Sequence, residues 1–103
     1  MDRLATNEVA RFARILANTF ARGTAVVDAL DDMAKAADGA FHGAITKIRE
    51  DVSQGIQLNY TMKQTGVFPD SVIEQVAASE KVGKLDFTFA EIAAHYEGLV
   101  DSQ

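Results

Sequence analysis

Apolar residues fall at helical spacing along nearly the whole chain, and no segment alternates with period two for long enough to build a sheet. That regularity restricts the fold to helices packed on helices. Val9, Phe12, Leu16 and Phe20 lie at i, i+3, i+7 and i+11, with Ala13 and Ile15 beside them. They put one apolar stripe on a helix from about Asn7 to Arg22. Thr6 or Asn7 is placed to cap its start, and Gly23 stands where a left-handed C-terminal residue belongs. Thr24 is a candidate cap for a second helix, with Asp28 in its first turns and Val26, Val27, Leu30, Met33 and Ala37 on its apolar side. Asp38 is a candidate cap for a third, which turns Phe41, Ala44, Ile45, Ile48 and Val52 inward and ends at Gly55. Tight connections of this kind imply antiparallel neighbours.

A short fourth helix fits "LNYTMKQT", with Leu58 and Met62 inward and Gly66 closing it. In "VFPDSVIEQV", Pro69 cannot continue a helix but suits a first turn. Ser71 and Glu74 form an S-x-x-E capping box, with Asp70 as a rival cap. Val72, Ile73, Val76 and Ala77 make the fifth stripe, which runs to Glu80 or Lys81. The last helix runs from about Leu85 to Val100, with Leu85, Phe89, Ile92, Ala93, Tyr96 and Val100 on one side. The expected fold is all-α: a compact antiparallel bundle of about six helices, its stripes too irregular for a long coiled coil.

Bulk properties narrow the function. The 103 residues suit one domain, and an apolar content of 48% suffices for one modest core. A net charge of −5 argues against nucleic-acid binding, which needs clustered Lys and Arg, and against a polybasic membrane patch. The chain contains no cysteine, which excludes disulfides and thiolate metal sites. No apolar run approaches the roughly 18 residues of a membrane span, and "MDRLATNEVARF" lacks a signal-peptide core, so the chain reads as a soluble piece.

Candidate chemistry is sparse. "SEKVGKLD" offers a Gly-Lys pair, Gly83 and Lys84, but a phosphate loop needs a glycine five residues before Gly83 and Ser or Thr after the lysine. Ala78 and Leu85 hold those places. His42 and His95 each lack a second histidine at i+3 or i+4, so no helical metal pair forms. His95 in "AAHYEGL" faintly resembles the A-H-x-L-K-G setting of phosphotransfer domains, although Tyr96 and Glu97 depart from it and Glu97 would repel an acidic response regulator. Asp28, Asp31 and Asp32 form an acidic cluster that suits a cation, a basic partner or plain solvation. No nucleophile-base set is implied by local spacing, so an enzyme is not expected, nor any cofactor.

The order of motifs resembles the cytoplasmic repeat of the type II secretion F family, the inner-membrane platform proteins of type II secretion and type IV pilus assembly. The family's F-x-R-x-L-A helix, glycine and A-L ending are matched by "FARILANTFARGTAVVDAL", with Phe12, Arg14, Leu16, Ala17, Gly23, Ala29 and Leu30 in place. "ITKIREDVSQGIQL" supplies the middle glycine and leucine, Gly55 and Leu58, and Phe68 with Pro69 supplies the F-P step. The G-E-x-x-G-x-L corner appears as "SEKVGKL", where Glu80, Gly83 and Leu85 match and Ser79 replaces the first glycine. Asp38 stands where the second repeat commonly has Asn. "IAAHYEGLVD", with Tyr96, matches the Y-E-x-x-V-D ending of that second repeat.

The likeness covers about residues 9–101. It implies that residues 1–103 are one cytoplasmic helical domain, the second of two repeats in a three-span inner-membrane protein, whose spans would lie outside these residues. It also implies a non-catalytic adaptor that couples a cytoplasmic assembly ATPase to pilin or pseudopilin assembly, facing the cytoplasm, with other platform proteins or a second copy as further partners. The contrasting expectation is a histidine phosphotransfer or regulatory domain acting through His95.

Overall fold

The computed structural model describes residues 3–101. Six helices follow one another: α1 (Thr6–Arg22), α2 (Val26–Ala36), α3 (Gly39–Ser53), α4 (Leu58–Thr65), α5 (Asp70–Val82) and α6 (Leu85–Asp101). Every segment expected to be helical is helical, and the described residues contain no strand.

The helix starts differ from the capping expectations. α1 begins at Thr6 with Ala5 at the N-cap, so neither Thr6 nor Asn7 caps it. Glu8 does part of that work by accepting the Ala5 N–H at 2.8 Å. Thr24 does not cap α2, whose N-cap is Ala25. Its hydroxyl instead donates to the Thr19 carbonyl and closes the end of α1. Asp38 occupies the N-cap of α3, but its side chain makes no capping bond. α5 starts at Asp70 with Pro69 at the N-cap, so Ser71 lies inside the first turn and the Ser71–Glu74 box does not form. Pro69 holds φ at −60°, and its carbonyl accepts the Val72 and Ile73 amides.

The helix ends follow glycine chemistry more closely. Gly23 and Gly83 adopt left-handed φ of 68° and 70°, the conformation that lets the next amide reach back across the last turn. Thr24 N–H bonds the Thr19 carbonyl, and Lys84 N–H bonds the Ser79 carbonyl.

α1 and α6, each of 17 residues, make the most extensive helix pair. They run antiparallel: Asn7 and Val100 line one groove, Arg14 meets Glu97, and Phe20 stacks on Phe89. The remaining contacts form a chain, α2 on α3, α3 on α4 and α4 on α5, closed by α5 on α6 and α1 on α2. Phe12, Leu16, Phe41, Ile45, Phe68 and Phe89 are among the fully buried side chains of one continuous core. The Cα radius of gyration is 12.4 Å, close to the roughly 13 Å of a compact 100-residue domain, so the six helices share one body.

Candidate functional site

Most of the residues that carry the resemblance occupy three places rather than one pocket. The first is the aromatic core. Phe12 and Phe68 are 1% exposed, with ring centroids 4.8 Å apart, and Phe12 also meets Phe89 edge-on at 6.1 Å. Pro69 follows directly as the N-cap of α5, and Arg3 Nη1 donates to the Phe68 carbonyl at 2.8 Å. That bond and Leu4 N–H on the Val67 carbonyl tie the segment before α1 to the α4–α5 turn.

The second is the α1–α6 seam. Arg14 donates to Glu97 through both Nε and Nη2 at 2.9 Å, a two-pronged pair across a sequence separation of 83 residues. The bond to Arg14 holds the Glu97 carboxyl below its ordinary range and pushes the Arg14 guanidinium up. Glu97 is therefore paired within the fold. Next to the pair runs an open groove of about 290 Å³, lined by Ala10, Arg11, Ile15 and Val100 among others. Tyr96 packs half-buried against the core, and His95 stands exposed with its ring edge-on to Tyr96 at 5.2 Å. Glu91, one turn before His95, lines a surface depression with it.

The third is the α5–α6 corner. The Glu80 carboxylate accepts the backbone N–H of Leu58 at 2.9 Å and of Asn59 at 2.8 Å, and also the Asn59 side-chain amide. Gln57, the N-cap of α4, makes no side-chain capping bond, so Glu80 caps α4 from another helix. Gly83 ends α5, and the amides of Gly83 and Lys84 both bond the Ser79 carbonyl. Those two amides are the ones a phosphate loop would present to its ligand, and here they are already used. Ser79, which replaces the expected glycine, is buried; its hydroxyl donates to the Gln75 carbonyl and meets the Thr88 hydroxyl on α6. Leu85 packs half-buried on the core.

Gly23 and Gly55 serve turns far from this corner in sequence, Gly55 with φ of 88° after the Gln54 C-cap of α3. A second carboxylate clasp joins α3 to α4: Asp51 accepts Lys47 Nζ at 2.9 Å and the hydroxyl of fully buried Thr61 at 2.8 Å. Lys47, then Thr61, lower the Asp51 pKa. Of the acidic cluster on α2, Asp31 is taken by Arg49 Nε of α3 at 2.7 Å, while Asp28 and Asp32 face solvent. Among the described residues, no group of three or more His, Cys, Asp and Glu side chains is arranged to hold a metal. His42 reaches the Ala34 carbonyl at 2.8 Å across the α2–α3 turn. No helix of the described residues is long and apolar enough to cross a membrane.

Arg14, Glu80 and Glu97 stand out in the sequence, but their pairings across helices do not. Asp51–Thr61 and Ser79–Thr88 had no local signal at all, because a hydroxyl on an apolar face breaks no periodicity.

The family model for the type II secretion system protein F matches residues 12–103. Over 95 residues the chain is 45% identical to the type IV pilus assembly protein PilC of Pseudomonas aeruginosa, covering 91% of this chain and 25% of that protein. It is 38% identical over 94 residues to the type IV pilus assembly protein TapC of Aeromonas hydrophila, covering 90% and 23%. It is 29% identical over 99 residues to the type II secretion system protein F of Pseudomonas aeruginosa, covering 95% and 24%. The chain thus spans about a quarter of the length of these curated relatives. A match over nearly all the chain, which folds as a six-helix bundle, leaves one assignment: this chain belongs to the type II secretion system protein F family.

Proposed function

We propose that this chain is a cytoplasmic repeat, the second of two, from an inner-membrane platform protein, and that it works as a non-catalytic adaptor. In this reading it couples a cytoplasmic assembly ATPase to pilin or pseudopilin assembly in pilus biogenesis or protein secretion. Other platform proteins and a second copy are further partners. The relatives carry the names of pilus-assembly and secretion proteins, which supports this class of role. The observation that carries the mechanism is the antiparallel α1–α6 pair, clasped by Arg14 and Glu97 and backed by Phe12, Phe20 and Phe89. α1 starts and α6 stops at the same end of the bundle, where Asn7 and Asp101 line one groove. A push at the opposite end therefore reaches both helix ends together, because a close-packed core resists compression.

A pull-down tests the reading. The purified chain, its helical fold checked by circular dichroism, is presented to the cognate assembly ATPase and platform proteins. Specific retention of the ATPase is expected. Failure to retain any of them, with the fold intact, overturns the adaptor reading.

A further inference from the structure

Val82 and Phe87 bracket the turn between α5 and α6, and they are among the few large apolar side chains left exposed in the described residues. Val82 is 65% exposed and Phe87 61%. Lys81, in the last turn of α5, and Lys84, between α5 and α6, are exposed, and neither enters an ion pair among the described residues. Of the two carboxylates of the corner, one is engaged within the fold and one is exposed. Glu80 points into the fold and caps α4. Asp86, two residues after Lys84, is exposed and lines a depression with Phe20, Gly83 and Leu85. The corner therefore presents apolar surface with two ammonium groups and one carboxylate exposed, a local cationic excess on a chain whose net charge is −5.

The display is also stiff. The left-handed Gly83, the two amides bonded to the Ser79 carbonyl and the Ser79–Thr88 hydroxyl contact fix the turn from both sides. A surface already held in one conformation loses little freedom when it binds. It sits at the start of α6, about 25 Å along the helix from Asp101.

We propose that the α5–α6 corner is a docking edge for an acidic partner protein, with Phe87 and Val82 entering an apolar depression and Lys81 and Lys84 pairing with carboxylates around it. This rests on the reading above, that the chain contacts an assembly ATPase, and it names the surface used. Charge complementarity selects the partner: over most of its surface an acidic chain repels an acidic protein, so this cationic corner sets the orientation of approach. An anionic membrane fits less well, because lipid-binding patches cluster about four to eight cations.

The test is a titration of the purified chain against the purified cognate ATPase. Phe87→Ala and the double variant Lys81→Glu/Lys84→Glu are compared with Tyr60→Ala, a control on α4 that removes a side chain 54% exposed. Each corner variant is expected to weaken binding about tenfold or more, the control to leave it unchanged, and the lysine effect to shrink as salt rises. Wild-type binding that survives both corner variants overturns the docking edge and leaves the adaptor reading standing. No wild-type binding overturns the adaptor reading and the docking edge with it. A parallel titration uses vesicles of phosphatidylglycerol and phosphatidylethanolamine. Vesicle binding abolished by Phe87→Ala, with ATPase binding unchanged, gives the corner to the membrane and overturns the proposal.

Discussion

Glu80, one of the residues that carry the resemblance, acts on a helix other than its own. Its carboxylate lies on α5, yet the groups it satisfies are the first amides of α4, 21 and 22 residues earlier in the chain. α4 has only eight residues and no side-chain cap of its own, so its N-terminal amides depend on this acceptor. Removing it leaves those amides to water or to nothing. Glu80→Ala is expected to lower global stability by about 1–2 kcal/mol, the range of a lost cap with charge-assisted bonds. It should also speed amide exchange at Leu58 and Asn59 more than in α1 or α6. Urea unfolding and native-state hydrogen exchange measure the two effects. Unchanged exchange in α4 would remove the capping role. Since the carboxylate points inward, partner binding by the folded variant should persist, which separates packing at Glu80 from docking at Phe87.

At the scale of the element, apolar periodicity located every helix because burial selects residue type face by face. It placed Phe12, Leu16, Ile45, Met62, Val76 and Phe89 inward, and all are buried. It left Phe87 off the α6 stripe, and Phe87 is exposed. The helix starts were far less legible. Capping propensity assumes that a helix satisfies its own first amides, whereas Glu80 reaches α4 from another helix and Pro69 starts α5 through its backbone. The α1–α6 clasp was equally hidden, since nothing local links Arg14 to a glutamate 83 residues away. The α1–α6 seam is also where the aromatic packing concentrates. Phe89 lies between Phe12 and the stacked ring of Phe20, fully buried. Phe89→Ala is expected to destabilise by about 3–5 kcal/mol, a large part of the 5–15 kcal/mol typical of a domain. Phe87→Ala, two residues earlier on the same helix but exposed, should stay within about 0.5 kcal/mol. Urea midpoints for the pair measure the contrast, and equal losses would mean that α6 is rotated relative to this structure.

The whole molecule carries an acidic excess, and the fold uses part of it in two clasps that fasten helices distant in sequence or adjacent across a turn. Arg14 lowers the Glu97 pKa from its ordinary 4.5, and Lys47 with Thr61 lowers that of Asp51 from 3.8. A carboxyl whose pKa is depressed in the native state binds protons more readily when unfolded, so its contribution is complete above the ordinary value. It disappears as pH falls through the depressed one. Stability should therefore be flat from pH 7 to about 5, with respect to these groups, and decline below about 4.5 as first Glu97 and then Asp51 become protonated in the unfolded chain. Glu97→Gln and Asp51→Asn should each lower the urea midpoint at pH 7 and reduce the fall between pH 5 and 3. Salt separates the two clasps. The Arg14–Glu97 pair is half-buried, with side chains 40% and 43% exposed, and at 1 M salt, where the Debye length is about 3 Å, much of the Glu97→Gln effect should vanish. The Asp51 clasp holds the hydroxyl of a fully buried Thr61, so part of the Asp51→Asn effect should survive the same salt. If the double variant keeps the wild-type acid profile, acid sensitivity arises elsewhere in the acidic surface and these clasps do not set it.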